Sequence, residues 1–273
     1  MTVFSSGGPP RSAAPDAAFP PGTFTPHPGP GSRARMLAAQ AGTELRLALR
    51  HGEQVLLTLV VPVILLVGLT LLDVVPLPAP RVAVVTPSVL ALAVLSTAFT
   101  SQAITLGFDR RYGVIRRLAA TALPRWLLVA GRLAAALATV ALQVVVLGVL
   151  AVVLGWRPPG AGLAWAVLLV LLGCAAFGAL GILLGGTLRA EAVLAVANAV
   201  WFVLLLAGGI VVPLDRLPGP VGAVAGLLPS GALAEGLRTT LTTGAAPGMT
   251  PVLVLLAWTV AATAVAVRTV KLR

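Results

Sequence analysis

The sequence predicts an all-α polytopic membrane protein with six transmembrane helices and with the N and C termini in the cytoplasm. Of its 273 residues, 58% are hydrophobic and only 10% are charged, whereas a soluble globular chain carries about 25% charged residues. Apolar stretches of about 17 to 25 residues recur along the chain, and each is long enough to cross a hydrocarbon core of about 30 Å. This composition excludes a soluble enzyme and an intrinsically disordered chain.

The charged and reactive residues narrow the possible functions. The net charge of +11 comes from basic residues that flank the apolar stretches, which indicates membrane orientation and not a nucleic-acid partner. The single cysteine, Cys174, and the two histidines, His27 and His51, supply neither a disulfide nor a set of metal ligands. Lysine occurs only at Lys271, so the chain has no phosphate-binding loop, and we expect it to bind no cofactor itself.

The first fifty residues contain two different segments. Residues 1–32 are rich in Pro, Gly, Ser and Ala, which predicts a disordered tail ahead of a membrane domain at 33–273. The tail lacks the apolar core of a secretory signal, and docking to a partner is its alternative role. Residues 33–52 place apolar side chains on one helical face and basic ones on the other. This pattern predicts a helix lying in the membrane interface, with a solvated lead-in as the alternative.

Six apolar segments follow, and each is predicted to form one transmembrane helix. They cover about residues 55–72, 88–107, 127–154, 161–185, 193–212 and 251–267. Pro62 is expected to bend the first helix, and Arg132, near the start of the third, is able to snorkel towards the interface. Four glycines in the fourth segment indicate close helix packing. They are Gly173, Gly178, Gly181 and Gly185.

The distribution of arginine and lysine sets the orientation. Fifteen of the 19 basic residues fall on the side that carries both termini, and four fall on the other, which predicts cytoplasmic termini. The connection 213–250 then lies outside. Its apolar part is too short to span and is bracketed by prolines, which predicts two short interfacial helices or a re-entrant pair, with an ordinary loop as the alternative. Glu235 and Arg238 are spaced to pair there.

Polar residues inside the predicted spans are few, and apart from Arg132 they are uncharged. The candidates for a translocation path are Ser96, Thr97, Thr100, Ser101, Thr139, Gln143 and Asn198. These side chains either line a translocation path or join helices through hydrogen bonds. No Asp, Glu or His lies within a predicted span, which argues against a proton-coupled carrier and an intramembrane protease.

The most basic segment, residues 108–132, contains six arginines and one acid, Asp109. Between the arginines, Val114, Ile115 and Leu118 recur at helical spacing, which predicts a short amphipathic helix over 109–123 that ends at Pro124. The alternative is a loop whose arginines serve only the positive-inside rule.

This segment resembles the first cytoplasmic loop of ABC-2 type transporter permeases, the type V exporter fold. That loop has a charged stretch, a glycine, a Leu-Ala-Thr stretch, a proline with a basic residue, and Gly-Lys. The matching residues here are Arg110, Arg111, Gly113, Leu118, Ala120, Thr121, Pro124, Arg125, Gly131 and Arg132. The family's Thr-Leu-Glu is replaced by Val114, Ile115 and Arg116.

A second stretch resembles the same family after its fifth helix. There the permeases have Pro-Leu-x-x-Leu-Pro, a short apolar helix, Leu-Pro, and an Ala-rich helix that ends in Leu-Arg. The matching residues are Pro213, Leu214, Leu217, Pro218, Leu228, Pro229, Leu237 and Arg238.

The resemblance implies the membrane-spanning subunit of an ATP-driven exporter. It implies separate cytoplasmic ATPase subunits that carry ATP and Mg, and a second permease, identical or related, in the lipid bilayer. It also implies residues that couple to the ATPase: Arg110, Arg111, Gly113, Val114, Ile115, Arg116, Arg117, Leu118 and Pro124. We expect Val114, Ile115 and Leu118 to form the buried contact with the ATPase. The arginines among these residues are expected to face phosphate headgroups or acidic partner residues.

The cargo class and the type of membrane are predicted from the charge of the spans and from the choice of basic residues. Uncharged spans favour a hydrophobic or amphiphilic cargo, such as a drug, a lipid or a lipid-linked glycan. All but one of the 19 basic residues are arginine, a bias typical of a high-GC bacterial genome and hence of a bacterial plasma membrane. The rival functions are a membrane scaffold or assembly factor and a secondary transporter.

Overall fold

The structure, a computed structural model, describes residues 32–50, 52–72, 76–119 and 125–270, and the elements in those ranges are all helical. The predicted all-α class is confirmed. The α-helices are α1 Arg33–Arg50, α2 Gly52–Leu71, α3 Arg81–Val94, α4 Gln102–Arg111, α5 Val114–Ala119, α6 Arg125–Val153, α7 Gly160–Thr187, α8 Ala190–Ala207, α9 Gly219–Gly226, α10 Pro229–Thr243 and α11 Met249–Thr269. A π-helical segment, Leu95–Ser101, joins α3 to α4 in one long helix.

Five helices of the described chain are long and apolar enough to cross a membrane. They are Arg81–Arg111, Val129–Val153, Gly160–Thr187, Ala190–Ala207 and Met249–Thr269. The apolar part of α2, Thr58–Leu71, is shorter and lies on the first predicted span. The helices α9 and α10 meet at 95° and together qualify as a broken span or a re-entrant loop. The chain therefore has the helices of a multi-pass membrane protein, while its orientation stays a prediction.

Two helices have bounds that differ from those of the predicted spans. The second span, predicted at 88–107, is part of a helix that runs from Arg81 to Arg111, because its first turns also bury apolar side chains such as Val82 and Val85. The fifth, predicted to reach residue 212, ends at Ala207. Gly209 adopts a φ of +74°, a left-handed conformation that glycine tolerates and that turns the chain out of the helix.

Glycines of α7 allow this helix to lie directly against the backbone of the long helix. A Cβ atom on Gly181 would lie 2.8 Å from the carbonyl oxygen of Phe99, and one on Gly185 would lie 2.4 Å from that of Ala103. Only a residue without a side chain permits such an approach. The close packing predicted from these glycines is confirmed.

The connection after α8 folds into a helical hairpin. A short 3₁₀ turn, Leu214–Arg216, precedes α9, and α10 then packs against α3, α7 and α11 with most of its residues buried. The prediction of two short helices is confirmed, and the alternative of an ordinary loop is wrong.

The amphipathic segment before the first span is helical as predicted. It forms α1, which lies along α6. A helix of the same chain therefore contacts α1, in addition to the membrane interface that its amphipathic pattern predicts. The predicted disordered tail falls outside the described residues except for Ser32. The helix α2 continues through Pro62.

Candidate coupling site

The predicted coupling helix over 109–123 is divided in two. The long helix ends at Arg111, the chain turns at Tyr112 and Gly113, and α5 begins at Val114. Gly113 has a φ of +70°, and its amide donates to the carbonyl oxygen of Arg110 at 3.2 Å. The prediction of one continuous helix over 109–123 is wrong. Sequence periodicity indicates the spacing of apolar residues, but it does not show a left-handed turn at a single glycine.

An ion pair joins the end of the long helix to α6. Arg132 donates to the carboxylate of Asp109. The Arg132 side chain is 7% exposed and that of Asp109 is 23% exposed. The charge of Arg132 is therefore neutralised by a partner within the protein, while its position relative to the membrane interface stays a prediction.

Arg110 holds the C-terminal end of α7. Its Nη1 donates to the carbonyl oxygens of Gly185 at 3.0 Å and Leu188 at 3.2 Å. Carbonyl groups in the last turn of a helix lack the amide partners of the helix interior, and a cation there also interacts favourably with the helix dipole. Arg110 thus has hydrogen-bond partners within its own chain, and its expected contact with a headgroup or an acidic partner residue stays a prediction.

Arg111 makes a weaker contact with the beginning of α8. It pairs with Glu191, and the two side chains are 51% and 67% exposed. Glu191 lies in the first turn of α8, where a negative charge is favourable. Arg111 is therefore partly engaged inside the chain, although water and other molecules still reach it.

Ile115 points into the protein. It is 3% exposed and packs with Leu106 of α4 and Ile182 of α7, with Val129 and Leu133 of α6 alongside. This differs from the expectation that Ile115 lies in the contact with an ATPase, because its own chain already covers it. The apolar spacing of the segment therefore serves at least in part to seat α5 on the helix bundle.

The outward side of the segment carries a different set of side chains. Tyr112 and Arg117 are exposed, Val114 is half-buried, and the Tyr112 ring stacks on Phe108 with centroids 6.1 Å apart. The side chains of Arg116 and Leu118, together with the whole of Pro124, lie outside the described residues. We call Tyr112, Val114 and Arg117 the outward face.

The polar residues of the spans mostly bond to other helices or to their own backbone. The Thr97 hydroxyl donates to Oε1 of Gln143 at 2.9 Å, and Nε2 of Gln143 reaches the carbonyl oxygen of Thr58 at 3.5 Å. Nε1 of Trp201 donates to the Ser96 hydroxyl at 3.0 Å. These contacts tie the π-helical segment to α6 and α8, as expected of polar side chains that join helices.

The other predicted path residues are dispersed. Thr139 donates to the carbonyl oxygen of Ala135, and Asn198 lies exposed on α8 with its amide bonded to the carbonyl of Leu194. The buried hydroxyl oxygen of Thr100 has no hydrogen-bond partner among the described residues. Ser101, at the end of the π-helical segment, is half-buried.

Near the other end of the long helix, the sequence predicted one contact of Arg238 and did not predict two others. The pair of Arg238 with Glu235 is confirmed at 2.8 Å. Arg238 also donates to the Ser88 hydroxyl at 3.4 Å and to the carbonyl oxygen of Gly209 at 3.1 Å, so one side chain joins α10, α3 and the turn after α8. An arginine inside an apolar hairpin was the available signal.

A metal site is not formed by the described side chains, since no three His, Cys, Asp or Glu residues among them lie together. The comparison that decides the family is a sequence match. Residues 39–242 match the protein-family model for the ABC-2 type transporter. The chain belongs to the ABC-2 type transporter family. No curated protein matches it significantly.

We call residues 109–119 the coupling segment, and family membership relates this segment to the membrane helices. The matched range contains the long helix, α5, and the hairpin of α9 and α10. The ABC-2 chain is thus a multi-pass membrane component of a transport system and not itself an enzyme. Permeases of this family normally work with an ATPase partner.

Proposed function

We propose that this ABC-2 permease is the membrane-spanning subunit of an exporter in a bacterial plasma membrane, driven by ATP and Mg on separate cytoplasmic ATPase subunits. The observation that carries the proposal is the family match, which includes a segment with a buried side chain, Ile115, and exposed ones, Tyr112 and Arg117. Ile115 and Asp109 lie inward, and Tyr112 and Arg117 lie outward. An ATPase docks on the outward face, while the inward side chains hold the segment to the spans.

The cargo is hydrophobic or amphiphilic. In the described spans, the polar side chains around the π-helical segment are hydroxyls and amides, and Thr97, Gln143 and Ser96 already bond to neighbouring helices. Such an interior provides few free oxygen ligands for a small ion, which needs several of them in place of its water shell. An apolar molecule does not need such ligands.

A second permease, identical or related, completes the pathway. Asn198 is exposed on α8, and its amide nitrogen donates to the carbonyl oxygen of Leu194 in its own helix. Beside it the face carries exposed Leu194 and Phe202. An amide oxygen against lipid hydrocarbon lacks a donor, so a neighbouring permease is the more favourable environment for this face.

The proposed docking is tested by purifying the chain through an affinity tag from its own membranes and reconstituting it in nanodiscs. We expect an ATPase to copurify and to hydrolyse ATP in a vanadate-sensitive manner. Arg117→Glu should reduce the amount of bound ATPase, because it reverses a charge on the outward face. Arg268→Glu, at an exposed arginine in the last turn of α11, is the matched control and should not.

The outcomes of that experiment separate the rival functions. Absence of any bound ATPase from the unaltered preparation contradicts the proposal and favours a scaffold or a secondary transporter. Equal ATPase recovery from Arg117→Glu and Arg268→Glu retains the exporter but places the docking surface elsewhere.

The source of energy has its own test in inverted membrane vesicles with a fluorescent hydrophobic amine as the probe. Accumulation of the probe that depends on this chain should require ATP and should persist when an uncoupler removes the proton gradient. The opposite pattern, loss with the uncoupler and persistence without ATP, identifies a secondary transporter.

A further inference from the structure

Arg110 connects the coupling segment to the turn between two spans. It occupies the last turn of the long helix, two residues before the turn at Tyr112 and Gly113. Its Nη1 donates both to Gly185, inside the last turn of α7, and to Leu188, which follows that helix and precedes α8. One guanidinium therefore contacts the end of one span and the beginning of the connection to the next.

The neighbouring contacts do not perform the same task. The pair of Asp109 and Arg132 leads to α6, and Ile115 packs against the side of α7 through apolar contact, which has no preferred direction. The pair of Arg111 and Glu191 reaches α8 but is largely exposed, and exposed ion pairs are weak. Arg110 makes the directional, partly buried contact with the α7–α8 connection.

Hydrogen bonds from a charged donor to two carbonyl oxygens fix both distance and angle. A displacement of the segment therefore changes the position of these carbonyls, or breaks the bonds. We propose that Arg110 is a positioning residue of energy coupling, through which movement of the coupling segment reaches the connection between α7 and α8. This inference rests on the proposed function, in which an ATPase docks on that segment.

The test compares hydrogen–deuterium exchange of the complete ATPase complex in nanodiscs, with and without MgATP and vanadate. In the unaltered complex, trapping should change deuterium uptake both in peptides of the coupling segment and in peptides covering residues 183–193. In Arg110→Gln the change at 183–193 should be lost while the change at the coupling segment remains. Arg268→Gln removes the same charge from an exposed position and should retain both changes.

A conservative substitution separates positioning from folding. Arg110→Lys keeps the positive charge but has a single ammonium in place of the planar fork, so it should restore part of the change at 183–193. The proposal is overturned if that change persists in Arg110→Gln, if it is absent from the unaltered complex, or if neither variant assembles. Failure of any ATPase to copurify with the unaltered chain is a different result, which removes the proposed function itself.

Discussion

The two ends of the long helix are held by the same chemistry with different consequences. At its C-terminal end, Arg110 donates to carbonyl oxygens at the end of α7. Near its beginning, Arg238 of α10 donates to Ser88 and to the carbonyl oxygen of Gly209, just after α8. Each arginine thus holds the C-terminal end of a neighbouring span.

The two ends differ in how many partners each buried charge has. Arg238 has Glu235, a hydroxyl and a carbonyl oxygen, so no single contact carries its charge. Among the described residues, the charge of Arg132 is paired with Asp109. The C-terminal end is therefore more sensitive to the loss of one residue, and it is also the end that continues into the outward face.

Removing the acid at the C-terminal end should have the largest effect. Asp109→Ala leaves the Arg132 guanidinium buried without its carboxylate, and breaking a buried pair in this way costs about 3–5 kcal/mol. The free energy of unfolding, measured by titration with SDS from detergent micelles, should fall by about that amount. A loss below about 1 kcal/mol, the level of an exposed pair, would show that water reaches Arg132.

The apolar seat of the coupling segment should matter nearly as much. Ile115→Ala removes a side chain that packs with Leu106 and Ile182, and such a truncation in a core costs about 2–5 kcal/mol. The same SDS titration measures it. Val114→Ala, at the half-buried neighbour, is the control and should cost much less. Similar losses for both variants would contradict the inward placement of Ile115.

The glycine contact between α7 and the long helix should respond to a single methyl group. Gly185→Ala would place a Cβ atom 2.4 Å from the carbonyl oxygen of Ala103, so the helices must separate, at a cost of about 1–3 kcal/mol for overpacking. Gly148→Ala in α6 is the control, since its Cβ would meet no atom within 4 Å. Both are compared by thermal unfolding in the same detergent, and an equal Tm for the two variants contradicts the packing.

The corresponding acid near the beginning of the long helix should matter less than Asp109. After Glu235→Ala, Arg238 still has Ser88 and Gly209. We therefore expect a loss of about 1.5 kcal/mol, the lower end for a hydrogen bond to a charged group, because the Glu235 side chain is 41% exposed. The comparison with Asp109→Ala in one titration is the measurement. A reversed order of the two losses would refute the difference between the ends.

The exposed pair should have the smallest effect. Glu191→Ala removes the partner of Arg111, and surface ion pairs of this exposure contribute about 0–1 kcal/mol. The effect should shrink further between low and high salt because ions screen exposed charges. A larger loss that is independent of salt would indicate that the pair is shielded in the assembled membrane domain.

The sequence alone predicted the helical class, the location of the five long apolar helices and the glycine-mediated packing. These features follow from local physics: lipid offers no hydrogen bonds to the backbone, so apolar stretches of sufficient length become helices. Glycines such as Gly181 and Gly185 mark the places where two helix backbones can meet. The pair of Glu235 and Arg238 was equally local, since the residues are one helical turn apart.

Only the tertiary structure decided which partners satisfy the charged and apolar groups of the coupling segment. Asp109 and Arg132 are 23 residues apart, and Arg110 and Gly185 are 75 apart, so their contacts depend on how the helices pack. The apolar spacing around Ile115 indicated a buried face but could not say whether its own chain or a partner covers it. Sequence periodicity indicates that a side chain is buried, whereas the packing of α4, α6 and α7 determines which surface buries Ile115.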